Sequence, residues 1–282
     1  MSDLITAILI MGVVCLMAGI AASLFFYSDK GQRTMLALAM SVFATTYFLF
    51  YASGQLFWAK LVSSSAAIIY TNLAAVFAAL AAGWSLRLPQ TPRWRQVGLA
   101  VMLSAMSMVV ITWPLLSIAL RPPPAGGNEW NGPVALQTSW ATCSPAAAAT
   151  LLSAEKIPTA ESEMISLCLT DSAGTPTLGL YRGIKLIADR NGRGVEILDC
   201  DLAGLLEQND WPVLLAVELP FGVDDRRYAD QWGWIPGMGH SVVALGRAAD
   251  GGVLIGDPSV GLESWTQKDM GILWHGVGLR VR

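Results

Sequence analysis

Charge is what this chain has least of. Only 14% of its 282 residues are Asp, Glu, Lys or Arg, and its mean hydropathy is +0.49. That composition points to a membrane component rather than to an ordinary water-soluble domain. Histidine is scarcer still: His240 and His275 are the whole supply, and the four cysteines, Cys15, Cys143, Cys168 and Cys200, form no C-x-x-C pair. A Cys/His zinc site is therefore not expected, and no other metal or cofactor is implied. A basic excess is missing too. Residues 121–282 hold twelve Lys or Arg against nineteen Asp or Glu, a net charge of −7, so no nucleic-acid partner is expected, because a phosphate-binding face needs Lys and Arg in surplus.

The apolarity is unevenly spread. Residues 1–120 contain eight charged side chains and four long apolar runs, Leu4 to Tyr27, Thr34 to Tyr51, Val62 to Trp84 and Val97 to Leu120. A hydrocarbon layer of ~30 Å needs roughly 20 such residues, so the spacing predicts four membrane spans with lipid as their partner, the second barely long enough. The first run follows an acidic "MSD" rather than a basic segment and is too long for a signal peptide, so it is read as a helix that stays. Lys30, Arg33, Arg87, Arg93 and Arg95 fall in the first and third connections, and Lys60 alone in the second. By the positive-inside rule both termini, and everything after residue 120, lie outside the cytoplasm, with Trp58, Trp84 and Trp94 as interfacial anchors. With no ionisable residue in mid-span, an ion or proton relay has no carrier.

"RPPPAGGNEWNGP" (121–133) reads as a linker, stiffened by prolines and then loosened by glycines. From 134 to 282, helical signals come first: "CSPAAAATLLSAEK", "TAESEMISLCL" opened by Thr159 and two glutamates, and "TLGLYRGIKLIADRNG" closed by Asn191 and Gly192. Strand signals follow in "GVEIL", "PVLLAVEL", the hairpin pair "HSVVALGR" and "GVLIGDP", and a closing strand or two in "ILWHGVGLRV". The fold class expected is thus a membrane α-helical bundle joined to an α+β domain, a helical layer on an antiparallel sheet. A long loop, "PFGVDDRRYADQWGWIPGMG", carries Tyr228, Trp232 and Trp234. It serves substrate, rests on the membrane surface, or is pinned by its aromatics to its own domain.

Cys143 opens an alanine-rich helix, where unpaired N–H groups and the helix dipole stabilise a thiolate. His240 starts an apolar strand beside glycines, in reach of a helix end. Asp257 ends the next strand, and a hairpin returns it to His240, as an imidazole needs for orientation. Gln137, six residues before Cys143, can join the Cys143 N–H in facing an oxyanion.

These stretches, "QTSWATCSPAAAATLL", "GHSVVALG" and "IGDPSVG" with a trailing "GILWHG", resemble the peptidase C39 family, papain-like domains of bacteriocin-processing transporters. The resemblance covers about residues 131–280. It implies Cys143 as nucleophile, His240 as general base and acid, Asp257 as orienting group and Gln137 as oxyanion donor; the transporter relatives carry their peptidase in the cytosol, whereas the spans and loop charges here lead us to expect a peptidase anchored in a bacterial inner membrane and facing the periplasm. A peptide or protein substrate is implied, with Trp140, Tyr228, Trp232 and Trp234 as candidate contacts, and leader or precursor processing as the task. Thr142 and Ser144 stand where the family usually has an acidic residue and a glycine. Four spans precede the peptidase-like part, and no Walker A glycine loop follows, so ATP-driven export is not expected of this chain; the family's taste for paired-glycine leaders need not transfer.

Two alternatives stay open: resolution of the same thioester by an amine, giving acyl transfer, and a non-catalytic peptide-binding or structural role among membrane-protein partners. Cys168 and Cys200 are either a disulfide of an oxidising compartment or two separate core residues. Cys15 is read as packing and His275 as structural.

Overall fold

A computed structural model describes residues 2–25 and 31–282. Tyr27, the expected end of the first span, and Lys30 of the first connection lie outside the described residues. The chain divides into two compact units, Met1–Trp58 with Ala66–Ala119, and Ala59–Ser65 with Leu120–Arg282.

The first unit is helical: α1 (Ser2–Leu24), α2 (Gln32–Tyr47) continuing through a π-helical turn to Ala52, a short α3 (Phe57–Leu61), α4 (Ala67–Tyr70), α5 (Leu73–Ser85) and α6 (Arg93–Leu120). Among the described residues four stretches are long and apolar enough to cross a membrane, Ser2–Leu24, Gln32–Ala52, Ala67–Ser85 and Arg93–Leu120, as a multi-pass protein requires.

The third stretch differs from expectation. It starts at Ala67 rather than Val62 and is broken at Asn72, whose ψ of 72° leaves the helical region. At the break a side-chain contact reaches 38 residues along the chain. Pro114 sits inside α6 and has no N–H for the carbonyl of Val110, one turn earlier; the Asn72 side-chain amide donates to that carbonyl at 3.1 Å. The side chain at one helix break thus fills the acceptor that a proline leaves open in another helix. α6 begins at Arg93, ahead of the expected Val97, because Pro92 pre-sets the first turn, its carbonyl accepting from Arg95 and Gln96 N–H.

The second unit opens with a small hairpin, β1 (Trp130–Asn131) on β2 (Val134–Ala135), so the end of the expected linker is structured. Three helices follow, α7 (Cys143–Ala154), α8 (Glu161–Leu167) and α9 (Thr177–Arg190), then β3 (Val195–Asp199), α10 (Leu202–Gln208), β4 (Val213–Glu218), α11 (Arg227–Asp230), β5 (Gly239–Arg247), β6 (Val253–Asp257), β7 (Gly261–Trp265), α12 (Gln267–Leu273) and β8 (Trp274–Val281). The sheet runs β3-β8-β4-β5-β6-β7, antiparallel throughout. This is the helices-then-antiparallel-sheet α+β arrangement the sequence implies.

α7 is buried nearly all round: Ala146–Ala149, Leu151 and Leu152 are fully enclosed, which explains an alanine run with no polar face. It packs across β5, so its first residue is brought to the start of that strand.

Several elements correct the sequence reading. α8 starts at Glu161, and Thr159 does not cap it; the Thr159 hydroxyl donates to the Ile157 carbonyl instead. "ILWHGVGLRV" is not all strand, because a Thr266–Asp269 capping box starts α12 and carries the helix through Leu273. β7 and α10 were not anticipated. Cys168 and Cys200 are free thiols, the first buried and the second half-buried, and His275 is exposed on β8.

Candidate active site

Cys143 is the first residue of α7, where first-turn N–H groups have no partner within the helix. Thr142 occupies the capping position, yet its hydroxyl donates to the Ser139 carbonyl at 2.9 Å and accepts from the Ser139 N–H at 3.1 Å. The cap residue is tied to its own loop, and the amides at the mouth of α7 stay uncapped around the sulfur. Positive dipole and N–H groups there favour a thiolate.

His240 lies near the start of β5. Val243 pairs with Gly256 in the β5–β6 ladder, and that register carries Asp257, at the end of β6, back alongside it. The His240 Nε2 lies 2.8 Å from Asp257 Oδ1. The Cys143 thiol lines the same cleft as the imidazole, and each group shifts the other's titration. Asp257 is fully buried and multiply bonded. Its Oδ2 accepts from Trp234 Nε1–H at 3.0 Å, and its Oδ1 also accepts from the Ser259 N–H at 2.8 Å and hydroxyl at 2.6 Å. A buried carboxylate survives only with such compensation.

The electrostatics follow from these contacts. Burial alone pushes the Cys143 thiol up, but the His240 hydrogen bond and charge, the Ser144 hydroxyl and the Ser241 N–H outweigh it, and the net direction is down. Burial pulls His240 down, whereas hydrogen bonds from Asp257 and Cys143 push it up to about 10. Asp257 is raised by burial and lowered more strongly by His240 and Ser259, so it stays ionised. Sulfur and imidazole thus favour a thiolate–imidazolium pair.

Ser144, the residue in place of the expected glycine, has a use. Its hydroxyl lies 2.9 Å from that of Ser241 and 3.9 Å from Cys143 Sγ. The residues that follow Cys143 and His240 are therefore clipped together.

Gln137, Trp140, Cys143, Trp232, Trp234 and His240 line one cleft. The Gln137 N–H donates to the Pro258 carbonyl at 2.9 Å, fixing it beside the Asp257 corner. Its side-chain Oε1 is buried with no hydrogen-bond partner among the described residues. Trp140 is exposed, as are Ile235 and Met238 on the opposite lip.

The other aromatics divide. Tyr228 does not line the cleft; it is fully buried, and its hydroxyl donates to Asp269 at 2.6 Å. Trp234 is nearly buried, its N–H held by Asp257 and its ring 4.5 Å from that of His240. Trp232 stacks on Trp265 at 5.5 Å. The long loop is thus fastened by its aromatics to its own unit, with only Trp232 and Trp234 reaching the cleft. Ser259 and the Ser144–Ser241 pair escaped sequence reasoning. "DPS" could have yielded Ser259, since an Asp two residues before a serine is a common turn signature. Among the described residues no cluster of His, Cys, Asp or Glu could hold a metal ion.

No protein-family model matches the chain, and no curated protein does. Solved structures do. The peptidase domain of Streptococcus ComA, a bifunctional ABC transporter involved in a quorum sensing pathway, is 18% identical with a TM-score of 0.41, over 52% of this chain and 96% of that one. A double glycine motif protease from an AMS/PCAT transporter, in complex with its leader peptide, is 17% identical with a TM-score of 0.41, over 57% and 96%. The peptidase domain of Streptococcus mutans ComA is 22% identical with a TM-score of 0.36, over 53% and 98%.

Proposed function

We propose that this chain is a membrane-anchored cysteine peptidase that cuts a peptide or protein substrate with Cys143, His240 and Asp257, assisted by Gln137. The observation that carries the reading is the oriented imidazole: Asp257 lies 2.8 Å from His240 Nε2, and the Cys143 thiol lines the same cleft from the mouth of an uncapped helix. The C39-like order of the motifs adds to it.

The chemistry follows from that geometry. The Cys143 thiolate attacks the substrate carbonyl, and the negative charge that develops on oxygen meets the Cys143 N–H and the Gln137 side-chain amide. With Gln137 Oε1 turned inward, the Nε2–H₂ end is the part left for the cleft. The His240 imidazolium gives its proton to the leaving amine as the C–N bond breaks, leaving a thioester. His240, now neutral, takes a proton from water as the hydroxide adds, and the tetrahedral adduct expels the thiolate. Asp257 keeps Nε2 protonated and stabilises the imidazolium. Trp140, Ile235 and Met238 offer apolar contact to the substrate on either lip. With Arg33, Arg87, Arg93 and Arg95 on the cytoplasmic side, the peptidase unit acts outside the cytoplasm.

The test is a thiol-directed probe on membranes carrying the full chain. Wild type is expected to be labelled at Cys143 far faster than at Cys200, and Cys143→Ala to lose both labelling and cleavage of whatever precursor accumulates. Undiminished cleavage by Cys143→Ala removes the nucleophile from the proposal. Products that incorporate an added amine would change the reaction from hydrolysis to acyl transfer.

A further inference from the structure

Glu161, the first residue of α8, lies outside the cleft. It is 1% exposed, and its two oxygens serve two different segments. Oε1 accepts from the Thr138 N–H at 2.8 Å and the Thr138 hydroxyl at 3.2 Å, whereas Oε2 accepts from the Gly127 N–H at 2.8 Å. Gly127 answers with its carbonyl, which accepts the Ser162 N–H at 3.1 Å. The two segments touch: a Cβ placed on Gly127 would come within 2.7 Å of Thr138 Cγ2.

Thr138 is the neighbour of Gln137. Gln137 is therefore held on two sides, by its own N–H on the Pro258 carbonyl at 2.9 Å and by the next peptide's N–H on Glu161. The first bond refers it to the Asp257 corner. The second refers it to α8 and, through the other oxygen, to the segment entering from residue 121. The bonds on either side, the Leu136 N–H to the Glu129 carbonyl and the Ser139–Thr142 pair, fix the flanks of the segment rather than the Gln137–Thr138 peptide, and an amide donor displaced by about 1 Å loses much of its effect on a developing charge.

We propose that Glu161 is a positioning residue that sets the Gln137 amide for the oxyanion, and that it couples the connecting segment at Gly127 to that donor. The inference rests on the peptidase reading, so its test separates two reactions of the same sulfur. Alkylation of Cys143 by iodoacetamide displaces iodide at carbon and forms no oxyanion. Acylation by p-nitrophenyl acetate adds the thiolate to a carbonyl, forms an oxyanion, then expels p-nitrophenolate.

In the full chain, Glu161→Gln leaves one acceptor oxygen and turns an NH₂ group against one of the two N–H donors. The expected result is acylation slowed about tenfold, with alkylation within about twofold of wild type. Gln137→Ala slows acylation at least as much, and adding Glu161→Gln to it changes nothing further, because the group being positioned is gone. Equal loss of both reactions in Glu161→Gln, full multiplication of the two effects in the double variant, or no change in acylation each overturns the proposal. If Glu161→Gln does not fold, Gly127→Ala approaches from the other side: its methyl meets Thr138 Cγ2 and should slow acylation selectively. Thr138→Ser, which removes that methyl but keeps both donors, should restore it; a Gly127→Ala chain that acylates normally, or is not rescued, again refutes the coupling. A wild-type Cys143 that alkylates no faster than Cys200 would instead count against the peptidase reading itself.

Discussion

In the helical unit most of the large apolar side chains of α1 and α2 face outward, Leu9, Met17 and Phe50 among them, while Ala74, Ala75, Ala78 and Ala81 are fully buried beside Leu4, Ile69 and Ile111. In the sheet unit the largest apolar side chains, Trp265, Tyr228 and Leu151 among them, are fully enclosed. A bilayer is as apolar as leucine, so large side chains gain nothing by leaving it, and helices associate through close backbone approach. Water drives the same side chains inward. The polar groups divide in parallel. In the helical unit, hydroxyls such as Thr45 and Ser85 bond to carbonyls of their own helices. In the sheet unit, the buried carboxylates Glu161, Asp257 and Asp269 each join segments far apart in sequence. Ionised groups can be buried only with several partners, and those partnerships are what create a site.

The largest effect should come from removing such a carboxylate. Asp257→Ala leaves His240, Trp234 and Ser259 donors unpaired in a dry corner, and breaking a buried pair of this kind costs about 3–5 kcal/mol. Turnover should fall at least ~100-fold as the imidazole loses its orientation. Chemical unfolding followed by tryptophan fluorescence, alongside ester hydrolysis, measures both; a variant with wild-type stability would mean the corner is wet.

The same corner predicts the pH profile. Cys143 is lowered and His240 raised to about 10, so alkylation of Cys143 should fall less steeply from pH 8 to pH 6 than that of an ordinary thiol, which falls ~100-fold. It should change again only as His240 loses its proton near 10. For stability, the raised histidine contributes fully below its ordinary 6.5 and loses that contribution as pH rises through about 10. The lowered aspartate contributes above 3.8 and loses it as pH falls. The pair should therefore add most between about 4 and 6.5. An alkylation rate that climbs tenfold per pH unit to pH 9 would show that no ion pair forms.

Packing sharpens the contrast between units. Leu151→Ala in the sheet unit should cost about 2–5 kcal/mol as a cavity opens. Leu9→Ala, on an exposed helical face, should cost under about 0.5 kcal/mol in lipid or detergent. If Leu9→Ala proved as costly, that face is covered by another protein rather than by lipid. Gly83→Ala lies between them. Its methyl would meet the Gly19 carbonyl oxygen at 2.3 Å and Ala22 Cβ at 2.6 Å, forcing α1 and α5 apart for about 1–3 kcal/mol.

How much of this was legible depended on the range of the cause. Pro145 and the alanine run place Cys143 at a helix mouth by local chemistry alone, and a short hairpin puts Asp257 beside His240. Both are readable because neighbours in sequence decide them. The helical layer and most strands follow for the same reason. "TQKD", the box that starts α12, was equally local and was passed over because the apolar "ILW" after it looks like a strand. The partners of Asp257 and Glu161 were not legible, since which donor fills a buried carboxylate is settled only when segments 23 or 34 residues apart meet. Tyr228 and Trp234 looked like substrate contacts because loop aromatics usually invite that reading; their polar ends were already bonded to Asp269 and Asp257.

A further small effect tests a hydrogen bond that crosses between helices of the helical unit. Asn72, like Ser107 on the Ala75 carbonyl, reaches across to another helix's backbone, filling the carbonyl that Pro114 leaves open at Val110. Interhelical hydrogen bonds in membranes average about 0.6 kcal/mol, because the separated helices find other partners. Asn72→Leu should therefore destabilise the unit by only about 0.5–2 kcal/mol in detergent-induced unfolding. Pro114→Ala restores the helical N–H to that carbonyl, and in that background Asn72→Leu should cost less than in the wild type. An equal cost in both backgrounds would mean that Asn72 acts through the break at the start of α5 alone. A reduced cost would tie the broken third span to the proline of the fourth, one defect of backbone offsetting another.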